Sequence, residues 1–111
     1  MSGYTEVPPE TVNQWLGDGD AVLVDVREAE ELAQARLAGA VHLPMSAFDP
    51  DKVPTDTGKK VVFICALGQR SEQVGMYVVA EGILAEAYNM AGGLEAWAEA
   101  GLPLETGPAS V

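Results

Sequence analysis

"VVFICALGQRSEQ", Val61 to Gln73, decides how the chain is read. With the two lysines before it, its first part makes "KKVVFIC", an apolar run suited to a strand buried on both faces. Its last residues open "SEQVGMYVVAEG", a helix in which Val74, Tyr77 and Val78, flanked by Met76 and Val79, can meet a sheet before Gly82 ends it. Between strand and helix stands "CALGQR", Cys65 to Arg70, which holds the only cysteine of the chain.

Working outward, strand and helix signals keep alternating, which predicts a mostly parallel five-stranded sheet with helices on both faces. A short edge strand around Tyr4 to Val7 precedes "PPETVNQWLGDG", where two prolines suit a helix start and Gly17 a stop. "AVLVDV", Ala21 to Val26, is a second strand, "EAEELAQA" a short helix, and "AVHL", Ala40 to Leu43, a third strand stopped by Pro44. Met45 to Gly58 reads as a long surface connection with one helical turn at Ser46 to Phe48. "AEAYNM" is the fifth strand, "GGLEAWAEAG" the last amphipathic helix, and Glu105 to Val111 a frayed tail.

The 111 residues, 48% of them hydrophobic, fit a single domain with one ordinary core. The opening "MSGYTEVPPET" has acid and prolines where a secretion signal would be basic and then apolar, and no segment approaches the roughly 18 apolar residues of a membrane span. The expected location is the cytoplasm, away from membranes. A net charge of −11 argues against nucleic acid, which it would repel at long range. Acid clusters such as "EAEE" read as solvated helix faces. One cysteine makes neither an internal disulfide nor a thiolate zinc site, and the scattered methionines suggest no metal either, so neither metal nor cofactor is expected.

"VVFIC" alone would suit an inert core cysteine. The following junction favours chemistry. A compact turn at the carboxyl edge of a parallel sheet, where open α/β proteins bind ligands, can aim successive N–H groups at one centre. Gly68 permits φ > 0, and the helix start adds partial positive charge. With Cys65 at its mouth and Arg70 closing it, such a cradle suits a thiolate or what the sulfur carries. Electropositive settings lower the cysteine pKa from about 8.5 to roughly 3.5–7.5, which would prepare a nucleophile.

"LVDVREAEE", "LAGAVHLP", "ICALGQRS" and "AGGLEAWAEAGLP", in this order, are similar to the D-V-R-E, I-P-G-A-x-x-I-P, Y-C-x-x-G-x-R-S and G-G-x-x-x-W motifs of the rhodanese family. The resemblance covers about 100 residues, from "VPPETVNQWL" onward. It implies the rhodanese α/β fold and Cys65 as the residue that accepts a sulfane sulfur as a persulfide. The N–H groups of Ala66, Leu67, Gly68, Gln69 and Arg70 would cradle it, with the Arg70 side chain supporting the loop or a donor anion. The implied partners are a small sulfur donor anion such as thiosulfate and a cyanide or thiol acceptor, or else a sulfur-relay protein. Related phosphatases use a loop one residue longer, so six residues favour sulfur over phosphorus. Two departures, Ala35-Arg36 for Gly-His and Ala38 for proline, precede the third strand and are expected to alter packing more than chemistry.

Asp25 and Arg27 fall at the same sheet edge as Cys65. Either could face the site, Arg27 as a substrate-binding residue, or Asp25 could bond neighbouring backbone while Arg27 pairs with acid. His42, in mid-strand, reads as a structural histidine, since persulfide transfer needs no base once the thiolate has formed. Trp15, Trp97, Tyr77 and Tyr88 read as core, and Gly92-Gly93 as a tight strand-to-helix turn.

Overall fold

The structure, a computed structural model, describes residues 3–107. In chain order it contains β1 (Tyr4–Val7), α1 (Pro9–Gly17), β2 (Ala21–Asp25), α2 (Ala29–Gln34), β3 (Ala35–Arg36), β4 (Val41–His42), β5 (Lys60–Ile64), α3 (Gln69–Ala80), β6 (Ala87–Met90), α4 (Gly93–Glu99) and β7 (Glu105–Thr106). Five strands form one sheet in the order β1-β6-β5-β2-β4, every pairing parallel.

Side chains alternate along β5 and so divide the interior into two layers. Val62 and Ile64 join Val12 of α1 and Leu94 and Trp97 of α4 on one face. Val61, Phe63 and Cys65 join Val74 and Val78 of α3 on the other. Val62, Phe63 and Ile64 are fully buried, each stabilising the fold by about 1.5–3 kcal/mol. The same alternation puts Cys65, one step beyond the strand, on the α3 side.

Strand order places the edge that holds Cys65. After β2 the chain moves outward to β4, and after β5 it moves the opposite way to β6. The carboxyl ends of β2 and β5, paired through Asp25 and Ile64, therefore flank the point where the winding reverses. Loops diverge there and leave a crevice. The segments entering it are Val26–Glu28 after β2 and Cys65–Gly68 after β5.

Several elements depart from the sequence expectation. Helix α3 starts at Gln69 rather than near Ser71, because Gly68, at φ 96°, turns the chain directly into the helix. Its buried face is Ser71, Val74, Gly75 and Val78, while Tyr77 and Met76 are exposed. Val74 and Val78 mark this face as expected, and the small Ser71 and Gly75 complete it and let the helix lie close to the sheet. Tyr77 instead meets Phe48 edge-on, its ring centroid 6.3 Å away. The third strand is only Val41–His42, and the long connection carries 3₁₀ turns at Met45–Ala47 and Pro50–Lys52.

Ala35 is extended instead of helical, and with Arg36 it pairs antiparallel with Glu105 and Thr106, residues expected in the tail. Arg36 fastens this ribbon through Glu105 at 3.5 Å and the carbonyls of Leu32 and Gly107. The departure at Ala35-Arg36 thus falls in a short ribbon outside the five-stranded sheet. Residues 108–111 of the expected tail lie outside the described residues. Among the described residues no helix is long and apolar enough to cross a membrane.

Candidate active site

Cys65 leaves β5 at the winding reversal and is 1% exposed. The loop after it is held from outside by its carbonyls. Leu94 N–H donates to the Cys65 carbonyl at 2.9 Å, and Glu95 N–H to that of Ala66 at 3.1 Å. The amide of Asn89, on β6, donates to the Gly68 carbonyl at 3.0 Å. In a planar trans peptide the N–H points opposite to its carbonyl. Tying the Ala66 carbonyl to α4 thus turns the Leu67 N–H inward, toward the sulfur.

Gly92 and Gly93 make this close approach possible. A Cβ on Gly93, at φ 64°, would lie 2.4 Å from the Ala66 carbonyl oxygen and 2.5 Å from that of Cys65. Any side chain there would push the loop off its anchor. The tight turn read from the sequence thus also serves as the seat of the cysteine loop.

Donors converge on Sγ of Cys65. Gly68 N–H lies at 3.1 Å, Ser71 Oγ at 3.2 Å and Ser71 N–H at 3.4 Å. Burial pushes the thiol pKa up, but the bonds from the Ser71 hydroxyl and from the N–H groups of Ser71, Gly68 and Leu67 together outweigh it and lower the pKa. Each donor favours the charged form of the sulfur over the neutral one. The site is a cluster of donors around the Cys65 sulfur, built on the start of α3.

Of the expected cradle, Leu67 and Gly68 supply N–H groups to the sulfur, while Leu67 exposes its side chain to solvent. Ala66 acts through its anchored carbonyl, and Gln69, exposed, begins α3. Ser71 was not among the expected site residues. Its signal lay in the quoted "ICALGQRS", whose last residue stands in the first turn of the helix, within hydrogen-bond reach of the sulfur.

Arg70 is engaged by a carboxylate. Its Nη1 and Nη2 donate to the two oxygens of Glu31, each at 2.8 Å. These bonds hold Glu31 down to about 2 and push Arg70 up. Glu31 Oε1 also accepts from Glu28 N–H at 3.0 Å in a capping box that starts α2, and the Glu28 carboxylate takes the Ser46 hydroxyl at 2.6 Å. Part of the "EAEE" cluster is therefore a site component, not a solvated face. Its acids do not simply point to water, because α2 lies across the sheet edge from Arg70.

Arg27 is buried, 5% exposed, on an Asp25 that is fully buried. Its Nη2 and Nε reach the Asp25 carboxylate at 2.9 and 3.1 Å, and Nη2 also donates to the Ala35 carbonyl at 2.8 Å. The structure thus places Arg27 in a buried ion pair under α2, not with its guanidinium free at the loop. The partner acid is Asp25 rather than a surface one. His42 Nε2 stands 2.7 Å from the Arg27 carbonyl oxygen, a satisfied structural position.

A family model described as "Rhodanese-like domain" matches residues 8–100. The chain is 33% identical over 103 residues to a thiosulfate sulfurtransferase GlpE of Actinobacillus succinogenes, covering 93% of this chain and 92% of that one. It is 36% identical over 102 residues to a sulfurtransferase of Allochromatium vinosum, covering 89% and 92%. Among solved structures, a rhodanese-related protein from Thermoplasma volcanium is similar with a TM-score of 0.79 at 25% identity, over 92% of this chain and 98% of that one.

Proposed function

This chain belongs to the rhodanese-like family, and we propose that it is a sulfurtransferase in which Cys65 carries the sulfur as a persulfide. The observation that carries this reading is the convergence of the Gly68 N–H and the Ser71 hydroxyl and N–H on one buried sulfur.

In the first step the Cys65 thiolate attacks the outer sulfur of a donor such as thiosulfate. A new S–S bond forms, the S–S bond of the donor breaks, and sulfite leaves with the electron pair. In the second step cyanide or a thiolate attacks the terminal sulfur of the persulfide, and Cys65 leaves as thiolate. The cradle serves both steps, because a stabilised thiolate is abundant as nucleophile and good as leaving group. Splitting the transfer in two predicts ping-pong kinetics.

A six-residue loop, Cys65 to Arg70, whose N–H groups already close on Sγ favours sulfur over a bulkier phosphoryl group. A second reading, a carrier that passes persulfide between proteins, draws support from one feature. The exposed large hydrophobic residues Leu67, Met76 and Tyr77 lie on the loop and on α3.

The test is intact mass after incubation with thiosulfate, for wild type and Cys65→Ser, with thiocyanate release on adding cyanide. The expected result is a gain of one sulfur in wild type alone, discharged by cyanide. Sulfur gain from a protein persulfide but not from thiosulfate would select the carrier reading. No gain from either, or aryl phosphate hydrolysis lost in Cys65→Ser, would overturn sulfur transfer.

A further inference from the structure

We propose that Glu31 is a positioning residue that sets the charge selectivity of the site, by holding Arg70 away from anionic reagents. The inference rests on Cys65 being the reactive group, as in the reading above, but not on which sulfur compound it uses.

Ala66, Leu67, Gly68 and Gln69 carry no charge, so Arg70 is the one cation of the loop and the first turn of α3. The Arg27 guanidinium is committed to Asp25. Lys59 and Lys60 stand at the amino end of β5, opposite the cysteine, and Arg36 is tied to Glu105. Beside the N–H groups and the helix start, Arg70 is thus the one side-chain cation that the loop itself can offer to an anion approaching Sγ.

Glu31 occupies that guanidinium in the fork geometry that best matches a carboxylate. It is not a loose side chain. Oε1 is also fixed by the capping-box bond from Glu28 N–H, and the Glu31 carbonyl accepts from Arg27 Nη1 at 3.4 Å. The competitor is thus intramolecular and preorganised, and an incoming anion must displace it. With a depressed pKa, Glu31 stays ionised throughout the neutral range, so the pair persists there. Its sum is neutral, within a chain of net charge −11.

The probe is a pair of reagents of one chemistry and two charges, iodoacetate and iodoacetamide. In each case Sγ forms an S–C bond, the C–I bond breaks and iodide leaves with the electron pair. The ratio of their rates on Cys65 cancels the thiolate fraction and reports local charge alone. Glu31→Gln is the informative variant, because glutamine keeps the capping box while removing the charge.

The iodoacetate-to-iodoacetamide ratio is expected to rise at least about threefold in Glu31→Gln, and to rise much less when Arg70→Gln is also present. A purely structural role would slow both reagents together and leave the ratio unmoved. An unchanged ratio, or an equal rise with and without Arg70, would overturn the proposal. In parallel, kcat/KM for dianionic thiosulfate should rise more than for the monoanion methanethiosulfonate. If the alkylation ratio moves while no sulfur is transferred from either donor, the charge gate stands and the sulfurtransferase reading fails.

Discussion

Ser71 Oγ lies 3.2 Å from Sγ of Cys65, in the first turn of α3 and fully buried with it. A hydrogen bond to a charged group is worth about 1.5–3 kcal/mol, equivalent to about one to two pKa units. Ser71→Ala should therefore raise the Cys65 pKa, because the hydroxyl is the largest of the groups that lower it. The pH profile of iodoacetamide alkylation should move to higher pH, with little change at its alkaline plateau. A profile that stays in place would show that the N–H groups alone hold the thiolate.

The lowered pKa of Cys65 also links its charge to stability. The folded state releases the thiol proton more readily than the unfolded chain does. This contribution is fully present above the unfolded pKa and is lost as pH falls through the folded one. Relative to Cys65→Ala, wild type should gain stability as pH rises through that window, measured by urea unfolding at a series of pH values.

Gly93 cannot carry a side chain without moving the loop. A Cβ would lie 2.5 Å from the Cys65 carbonyl oxygen, on a backbone at φ 64°. Gly93→Ala is expected to cost about 1–3 kcal/mol in stability through strain. Thiocyanate formation should fall at least about tenfold, because each misplaced donor weakens stabilisation of the sulfur charge. A folded Gly93→Ala protein with full activity would remove α4 from the account of the site.

Asp25 and Arg27 form a buried ion pair 2.9 Å apart. Replacing Arg27 by methionine leaves a fully buried carboxylate without its counter-ion, and such removals cost about 3–5 kcal/mol. The urea midpoint of Arg27→Met should fall accordingly. The loss should be partly recovered in the double variant Asp25→Asn/Arg27→Met, because no uncompensated charge then remains. Equal loss in both would mean that the guanidinium bond to the Ala35 carbonyl matters more than the ion pair.

The Glu31–Arg70 bridge makes a smaller contribution, because both side chains are about a third exposed and solvent screens them. Arg70 lowers the Glu31 pKa from its ordinary 4.5 to about 2, so the stabilisation is complete above the ordinary value and fades as pH falls toward 2. Its size should stay below about 1 kcal/mol. Stability of Glu31→Gln against wild type, followed by acid titration with and without salt, should show a difference that shrinks on acidification and with added salt.

The strands and the cysteine loop were legible because their signals are local. "AVLV" before Asp25 and "VVFIC" are uninterrupted apolar runs, and Gly68 announces the turn into α3. The Glu31–Arg70 bridge was not, since it depends on where α2 comes to lie across the sheet edge. The exposure of Tyr77 was not legible, because the face of α3 against the sheet combines Val74 and Val78 with Ser71 and Gly75, and the last two carry no hydrophobic signal. The pairing of Ala35-Arg36 with Glu105-Thr106 joins distant pairs of residues, and neither pair has a strand pattern of its own.

The anchoring of the Cys65 and Ala66 carbonyls on Leu94 and Glu95 bears on the order in which the protein is made. On a ribosome the cysteine emerges well before the glycine turn that seats its loop. A nascent chain, or a fragment ending before Gly92, lacks the Leu94 and Glu95 N–H groups that anchor the loop carbonyls. The donor arrangement around the single cysteine of the chain is thus complete only once the last helix has docked.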